Sequence, residues 1–177
     1  DFLQVLNAMP WAVWQTPLPG AWMFALALGG TLLVLAPRGW PVRWLGLFGW
    51  LPLLLNAPVA PAEGSMRVTA FDVGQGMAVL VETPGHRLLY DTGPYYTAES
   101  DGATRVILPY LRARGIDHLD RVVISHNDND HSGGALSLFK NLLVDSVYSS
   151  LATESPILRA APAHTRCQAG QSWNWDG

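Results

Sequence analysis

Four side chains within one short stretch could do chemistry: His126, Asp128, Asp130 and His131, in VVISHNDNDHSGG over residues 122–134. Imidazole nitrogens and carboxylate oxygens are good ligands for borderline or hard divalent cations. In a tight loop, His126 and Asp128 can face one cation, and Asp130 and His131 can reach a second. Two cations about 3.5–4 Å apart can share a hydroxide, polarise a phosphoryl oxygen and stabilise a leaving group. Gly133 and Gly134 would let the chain turn tightly and pack close to the metals. Ser132, or its rival Asp130, would cap the following helix. The plainer alternative is a solvated turn, because Asn, Asp, His and Ser are turn residues anyway. A hydrophobic strand before the cluster and a glycine pair after it favour the metal site.

The elements that must position this loop are readable from pattern. LDRVVIS, 119–125, has a continuous apolar core and reads as a buried strand of a layered α/β sheet. SGGALSLFKNL opens a helix near residue 133. Upstream, MRVTAFDV (66–73), MAVLVET (77–83) and RLLYDTG (87–93) read as three strands joined by short turns, an antiparallel start. TRVILPYLRARG, 104–115, reads as a helix, and VDSVYSS, 144–150, as the next strand. The order β-β-β-α-β-α-β predicts a sheet with outer helices. The cluster then lies outside the carboxyl end of a strand, where ligands gather in such sheets.

Charge divides the chain. Residues 1–62 carry only Asp1, Arg38 and Arg43 as charged side chains, and residues 63–177 carry the rest. The uncharged run containing GAWMFALALGGTLLVLA, 20–36, predicts one membrane span, for which about 20 apolar residues suffice. WLGLFGWLPLLLNAPVAPA, 44–62, predicts a weaker second span, interrupted by Pro52. Tryptophans 11, 14, 22, 40, 44 and 50 sit mostly near the ends of these runs, where indoles favour the headgroup region. Arg38 and Arg43 would hold the intervening loop in the cytoplasm and put the polar part outside. A net charge of −3 gives no global basic field for coating nucleic acid and says little about a metal enzyme. Cys167 is the only cysteine, so no disulfide can form within the chain. The chain starts at Asp1 and stops at WNWDG without a terminal element, so it reads as a segment of something larger.

The loop looks like the H-x-H-x-D-H metal loop of the metallo-β-lactamase superfamily, with an aspartate at the second ligand position. Joined to FDVGQG (71–76), LLYDTG (88–93) and ILPYLRARGI (107–116), it resembles the ComEC/Rec2 family of competence proteins over residues 66–177. The resemblance implies an α/β fold, the N-terminal part of a metallo-β-lactamase-like αββα sandwich, preceded by an apolar transmembrane helical segment. Residues 1–62 would be membrane segments and a Pro/Ala linker, and residues 63–177 the N-terminal half of the domain. The implied function is an extracytoplasmic metal-dependent nuclease of a DNA-uptake protein, degrading the strand that is not imported. Its implied setting is the cell inner membrane, with residues 63–177 on the periplasmic or extracellular side. Single-stranded DNA, the membrane and other components of the uptake machinery would be its partners.

Carried over by position, His126 and Asp128 would ligate one divalent ion and Asp130 and His131 a second, zinc or manganese. Asp130 would also orient the attacking water, making it the catalytic residue. Asp91 would buttress the loop, Asp72 would bond loop amides, and Gln75 would face substrate. After GQG the family usually carries an acidic residue. Met77 stands there instead, reads as a strand core residue, and argues against a metal or water contact at that position. The superfamily's later histidine, bridging aspartate and final histidine are not among these residues, so activity is expected of a longer parent and not of this segment alone. CQAGQSWNWDG, 167–177, looks like the family's strand before its next ligand region. Two other functions remain open: another hydrolase of this fold, and a non-catalytic domain that positions DNA.

Smaller features read more simply. His86 is a hairpin-turn residue, His118 and His164 are surface residues, and Asp176 is a poor ligand candidate. Arg105, Arg112, Arg114 and Arg121 form a basic group around one helix, either a solvated face or a phosphate-steering one. Tyr95 and Tyr96 could stack on a nucleobase at the rim.

Overall fold

A computed structural model describes residues 2–7, 9, 16–37 and 39–176. The chain divides into two compact units: residues up to Pro58 with Ala113–Gly115, and Val59–Arg112 with Ile116 onward. The first unit holds α1 (Phe2–Asn7), α2 (Ala21–Val34), a 3-10 helix (Arg43–Trp50) and the single turn α3 (Leu51–Leu54). Thr31 on α2 donates to the Ala27 carbonyl and accepts from the Trp50 indole N–H at 3.2 Å, tying α2 to the 3-10 helix.

No helix among the described residues is long and apolar enough to cross a membrane. This corrects the expected transmembrane segment. With 14 residues, α2 is about 21 Å long, short of a hydrocarbon layer of about 30 Å. Pro17 and Pro19 bound it in front and Pro37 behind, and residues before proline resist the α conformation. The expected second span also fails. Pro52 sits at the start of α3, where its missing N–H costs nothing, so a new turn begins there instead of one long helix. The inner-membrane placement and the outward orientation of residues 63–177 rested on those spans and fall with them. Of the residues invoked for that orientation and for interfacial anchoring, Trp11, Trp14 and Arg38 lie outside the described residues.

The second unit is built on a six-stranded mixed sheet in the order β1-β2-β3-β6-β7-β8. Its strands are β1 (Arg67–Ala70), β2 (Val79–Glu82), β3 (Arg87–Tyr90), β6 (His118–Ile124), β7 (Leu143–Ser149) and β8 (His164–Arg166). A small ribbon of β4 (Tyr95–Thr97) and β5 (Ser100–Asp101) stands apart. The first three strands pair antiparallel, as short turns require. β6 then joins β3 in parallel, with Leu89 opposite Val122. That pairing needs a crossover, supplied by a π-helical turn (Ala103–Ile107) running into α4 (Leu108–Ala113). α5 (Asn129–Ser132) and α6 (Ala135–Asn141) make the next crossover, and α7 (Pro156–Ala160) lies in the last.

Leu80, Leu89, Val122, Ile124 and Val147 from the sheet share one buried core with Ile107, Leu111, Leu138 and Ile157 from the helical segments. The architecture is mixed α/β and resembles a lactamase-like sandwich. Arg121 projects elsewhere. Its guanidinium lies 4.3 Å from the ring centroids of both Tyr148 and Trp173. It therefore belongs to β6 and an aromatic pocket, not to a basic group around α4. Ring faces attract a cation there. The segment carrying Trp173 forms no strand within residues 167–176; the last strand is His164–Arg166 instead.

Candidate metal centre

β3 and β6 end side by side, and the site is assembled where they stop. Beyond β3, Asp91 takes a left-handed backbone conformation with φ 57°, a geometry aspartate tolerates better than bulkier residues. The turn sends its carboxylate inward, where it is fully buried. One oxygen, Oδ1, accepts from the backbone N–H of Ser125 at 2.7 Å. The other, Oδ2, accepts from the Ser125 hydroxyl at 2.8 Å and from Nδ1 of His131 at 2.7 Å. The Ser125 hydroxyl also lies 2.8 Å from Nδ1 of His126. One buried carboxylate thus holds both imidazoles, His131 directly and His126 through Ser125.

The loop backbone is pinned as well. The His131 carbonyl accepts from the Thr92 N–H and hydroxyl at 2.8 and 3.0 Å. The Asp130 carbonyl accepts from the Met77 N–H at 3.1 Å. A side chain on Gly133 would collide with the Tyr95 amide, so the close approach of loop to β4 needs glycine there. Capping differs from expectation. Asp128 is the N-cap residue of α5 but its side chain bonds no helix N–H, and the Ser132 hydroxyl donates to the Asp128 carbonyl at 3.1 Å. Gly134 is the N-cap of α6, so neither Ser132 nor Asp130 caps it.

The four expected ligands form two neighbouring His–Asp pairs. The His126 and His131 rings are 4.1 Å apart between centroids. Nε2 of His126 lies 3.3 Å from Asp128, and Nε2 of His131 lies 3.6 Å from Asp130. Side-chain exposure is 75 % at Asp128 and 20 % at His131, so the cluster has a wet edge and an anchored back. The remaining expected residues sit around it. Gln75 lines an open cleft of about 420 Å³ with Pro94, Tyr95, Tyr96, Asn129 and Asp130. Asp72 accepts from the Gly74 N–H at 3.2 Å, inside its own turn. Met77 precedes β2 and is 43 % exposed. It is therefore not a strand core residue; its backbone pairs with Asp130 and with Gly93.

Hydrogen-bond partners decide where the imidazole protons lie. His131 faces a carboxylate through Nδ1, so Nδ1 carries its proton. In the neutral ring Nε2 then turns a lone pair toward Asp130. Acceptor faces acceptor at 3.6 Å, an arrangement that a cation between the two groups relieves. Two imidazoles and two carboxylates are a donor set that zinc or manganese accepts.

Another group escaped the sequence reading. Among the described residues, one set of three potential ligands has its ligand atoms all within 4.8 Å of one another: His118, Asp120 and Asp145. No three of His126, Asp128, Asp130 and His131 meet that spacing, so a preformed two-metal cage is not what the structure holds. His118 and Asp120 point to one face of β6, two residues apart, and Asp145 comes from the neighbouring β7. Nε2 of His118 is 2.9 Å from Asp145, and Asp120 accepts from the Arg87 N–H at 2.7 Å. Only the alternation of His118 and Asp120 hinted at this set; Asp145 joins through strand pairing. Ser125 was missed too, although it directly precedes His126.

The model of the metallo-beta-lactamase superfamily matches residues 71–161, from the DVGQG turn through the loop of His126 to His131 and past α7. Similar proteins include Competence protein ComA of Neisseria gonorrhoeae, 37 % identical over 94 % of this chain and 22 % of that protein. Recombination protein 2 of Haemophilus influenzae is 38 % identical over 66 % of this chain and 14 % of its own length. ComE operon protein 3 of Bacillus subtilis is 31 % identical over 62 % of the chain and 16 % of its own length. The chain thus spans less than a quarter of the curated relatives it matches. With its sheet order, its strand-end loop and a family match over just over half its residues, the chain belongs to the metallo-beta-lactamase superfamily.

Proposed function

We propose that the second unit is the metal-dependent hydrolase domain of a DNA-uptake protein, and that its reaction is phosphodiester cleavage of single-stranded DNA. The observation that carries this reading is the pairing of Nε2 of each imidazole with a loop carboxylate, at 3.3 and 3.6 Å, over a buried anchor. His126 with Asp128, and His131 with Asp130, would hold divalent cations, zinc or manganese. A bound cation supplies a hydroxide at neutral pH and neutralises charge on a phosphoryl group. Asp130, 36 % exposed at the cleft edge, would orient water. Gln75, Tyr95 and Tyr96 offer polar and stacking contacts to a nucleotide along the same cleft. Similarity to proteins named for competence and recombination supports DNA over a lactam or thioester as substrate.

The test uses the full-length parent, with metal analysis and cleavage of labelled single strands. Asp130→Asn should abolish cleavage and leave the circular dichroism spectrum unchanged. Undiminished cleavage would remove the mechanism, and metal content without any cleavage would favour a DNA-positioning role.

A second reading puts the metal at His118, Asp120 and Asp145, the tighter set. Against it, the set closes on itself: His118 already pairs with Asp145, and the Arg87 N–H already occupies Asp120. Zinc titration of His118→Ala and His131→Ala variants separates the two readings.

A further inference from the structure

We propose that Ser125 is a positioning residue that sets the tautomer of His126. The inference rests on the reading of His126 as a metal ligand and adds a residue to it. Ser125 has one hydroxyl proton and three polar neighbours: Oδ2 of Asp91 at 2.8 Å, Nδ1 of His126 at 2.8 Å and Nδ1 of His131 at 3.5 Å. Asp91 is buried and its carboxylate can only accept. If the serine proton pointed at His126, two oxygens would meet at 2.8 Å with only lone pairs between them. The proton therefore goes to Asp91. The serine oxygen is left as an acceptor, so the Nδ1 of His126 beside it must donate.

Neutral imidazole carries one proton, so Nε2 of His126 keeps its lone pair, and Nε2 is the atom 3.3 Å from Asp128. His131 reaches the same state without help, since its Nδ1 donates straight to Asp91 at 2.7 Å. One buried carboxylate thereby presents two adjacent imidazoles with the same nitrogen free. For His126 it acts only through Ser125. Removing the hydroxyl leaves Nδ1 of His126 without its acceptor and frees the ring to place its proton on Nε2, the ligating atom. A metal must then displace that proton or wait for the minor tautomer, which lowers its apparent affinity. Partners behind a ligating imidazole typically change metal affinity by about 10–100-fold when removed.

The experiment reads imidazole nitrogens directly. Histidine-labelled, metal-free protein is examined by nitrogen-15 NMR across a pH series, and the tautomers are read at the alkaline plateau, where each ring carries one proton. Both His126 and His131 should carry Nδ1–H in the wild type. Ser125→Ala should move His126 toward Nε2–H and leave His131 unchanged, and Ser125→Thr should restore His126. Zinc affinity by calorimetry should fall about 10–100-fold in Ser125→Ala and recover in Ser125→Thr. An Nε2–H tautomer at His126 in the wild type overturns the proposal, whether or not the alanine variant folds. So does an unchanged tautomer in Ser125→Ala. The two readings fail separately. Zinc affinity indifferent to Asp128→Asn and Asp130→Asn removes the metal site but leaves the tautomer result to decide on Ser125. Affinity lost in those variants and intact in Ser125→Ala removes only the role of Ser125.

Discussion

Asp91 and Asp176 solve the same local problem in two places. Each has a left-handed backbone, φ 57° and 58°. Each accepts from one backbone N–H, one hydroxyl and one imidazole Nδ1. For Asp91 these are Ser125, Ser125 and His131, at 2.7, 2.8 and 2.7 Å. For Asp176 they are Gly85, Thr83 and His86, at 2.9, 2.6 and 3.2 Å. Burial separates them. Asp91 has no exposed surface, whereas Asp176 is exposed at the β2–β3 turn. Water reaches the carboxylate of Asp176 and not that of Asp91. The same three bonds therefore fix a rigid loop at one end of the sheet and only fasten a chain segment at the other.

The largest expected effect is at Asp91. Asp91→Ala strands buried donors and should cost about 3–5 kcal/mol in urea unfolding, the usual range for breaking a buried pair. Asp176→Ala should leave the urea midpoint unchanged. Equal effects at the two sites would mean that burial is not what distinguishes them.

Next in size is metal affinity. His131→Ala should reduce zinc affinity by at least the 10–100-fold typical of lost supporting partners, and His118→Ala should leave it unchanged. The reverse result would move the metal to the amino end of β6, about 20 Å away along the strand.

A smaller contrast involves Asp145, whose side chain is 65 % exposed. Asp145→Asn should change stability by no more than about 0.5 kcal/mol, as for most surface substitutions.

The mildest effect is a pH response at Asp176. Hydrogen bonds from Thr83, Gly85 and His86 lower its carboxyl from 3.8 to about 2. A lowered folded pKa stabilises only the charged form, so the contact is complete above the ordinary pKa of 3.8 and is lost as pH falls through about 2. Trp175 stacks on His86 at 4.8 Å, so tryptophan fluorescence should report release of the segment across that window. Asp176→Asn should remove the transition.

Much of the sheet was legible because its physics is local. Alternation in β1 to β3 and short turns between them enforce antiparallel pairing. The apolar run of β6 ends at a polar loop whose residue types already name their chemistry. The membrane spans were misread because the apolar run was counted across Pro37, and Pro52 was taken to weaken the second run when it starts a new turn. Arg121 was placed with its neighbours in sequence, whereas strand β6 turns it onto Tyr148 and Trp173.

By itself, then, the sequence determined that a strand-to-helix loop would carry two imidazoles and two carboxylates, because strand period and loop composition are properties of neighbouring residues. Tertiary structure alone decided which nitrogen of each imidazole is free. That choice is made by a carboxylate 34 to 40 positions away, brought to the loop by the parallel pairing of β3 with β6 and stripped of water by the core beneath it.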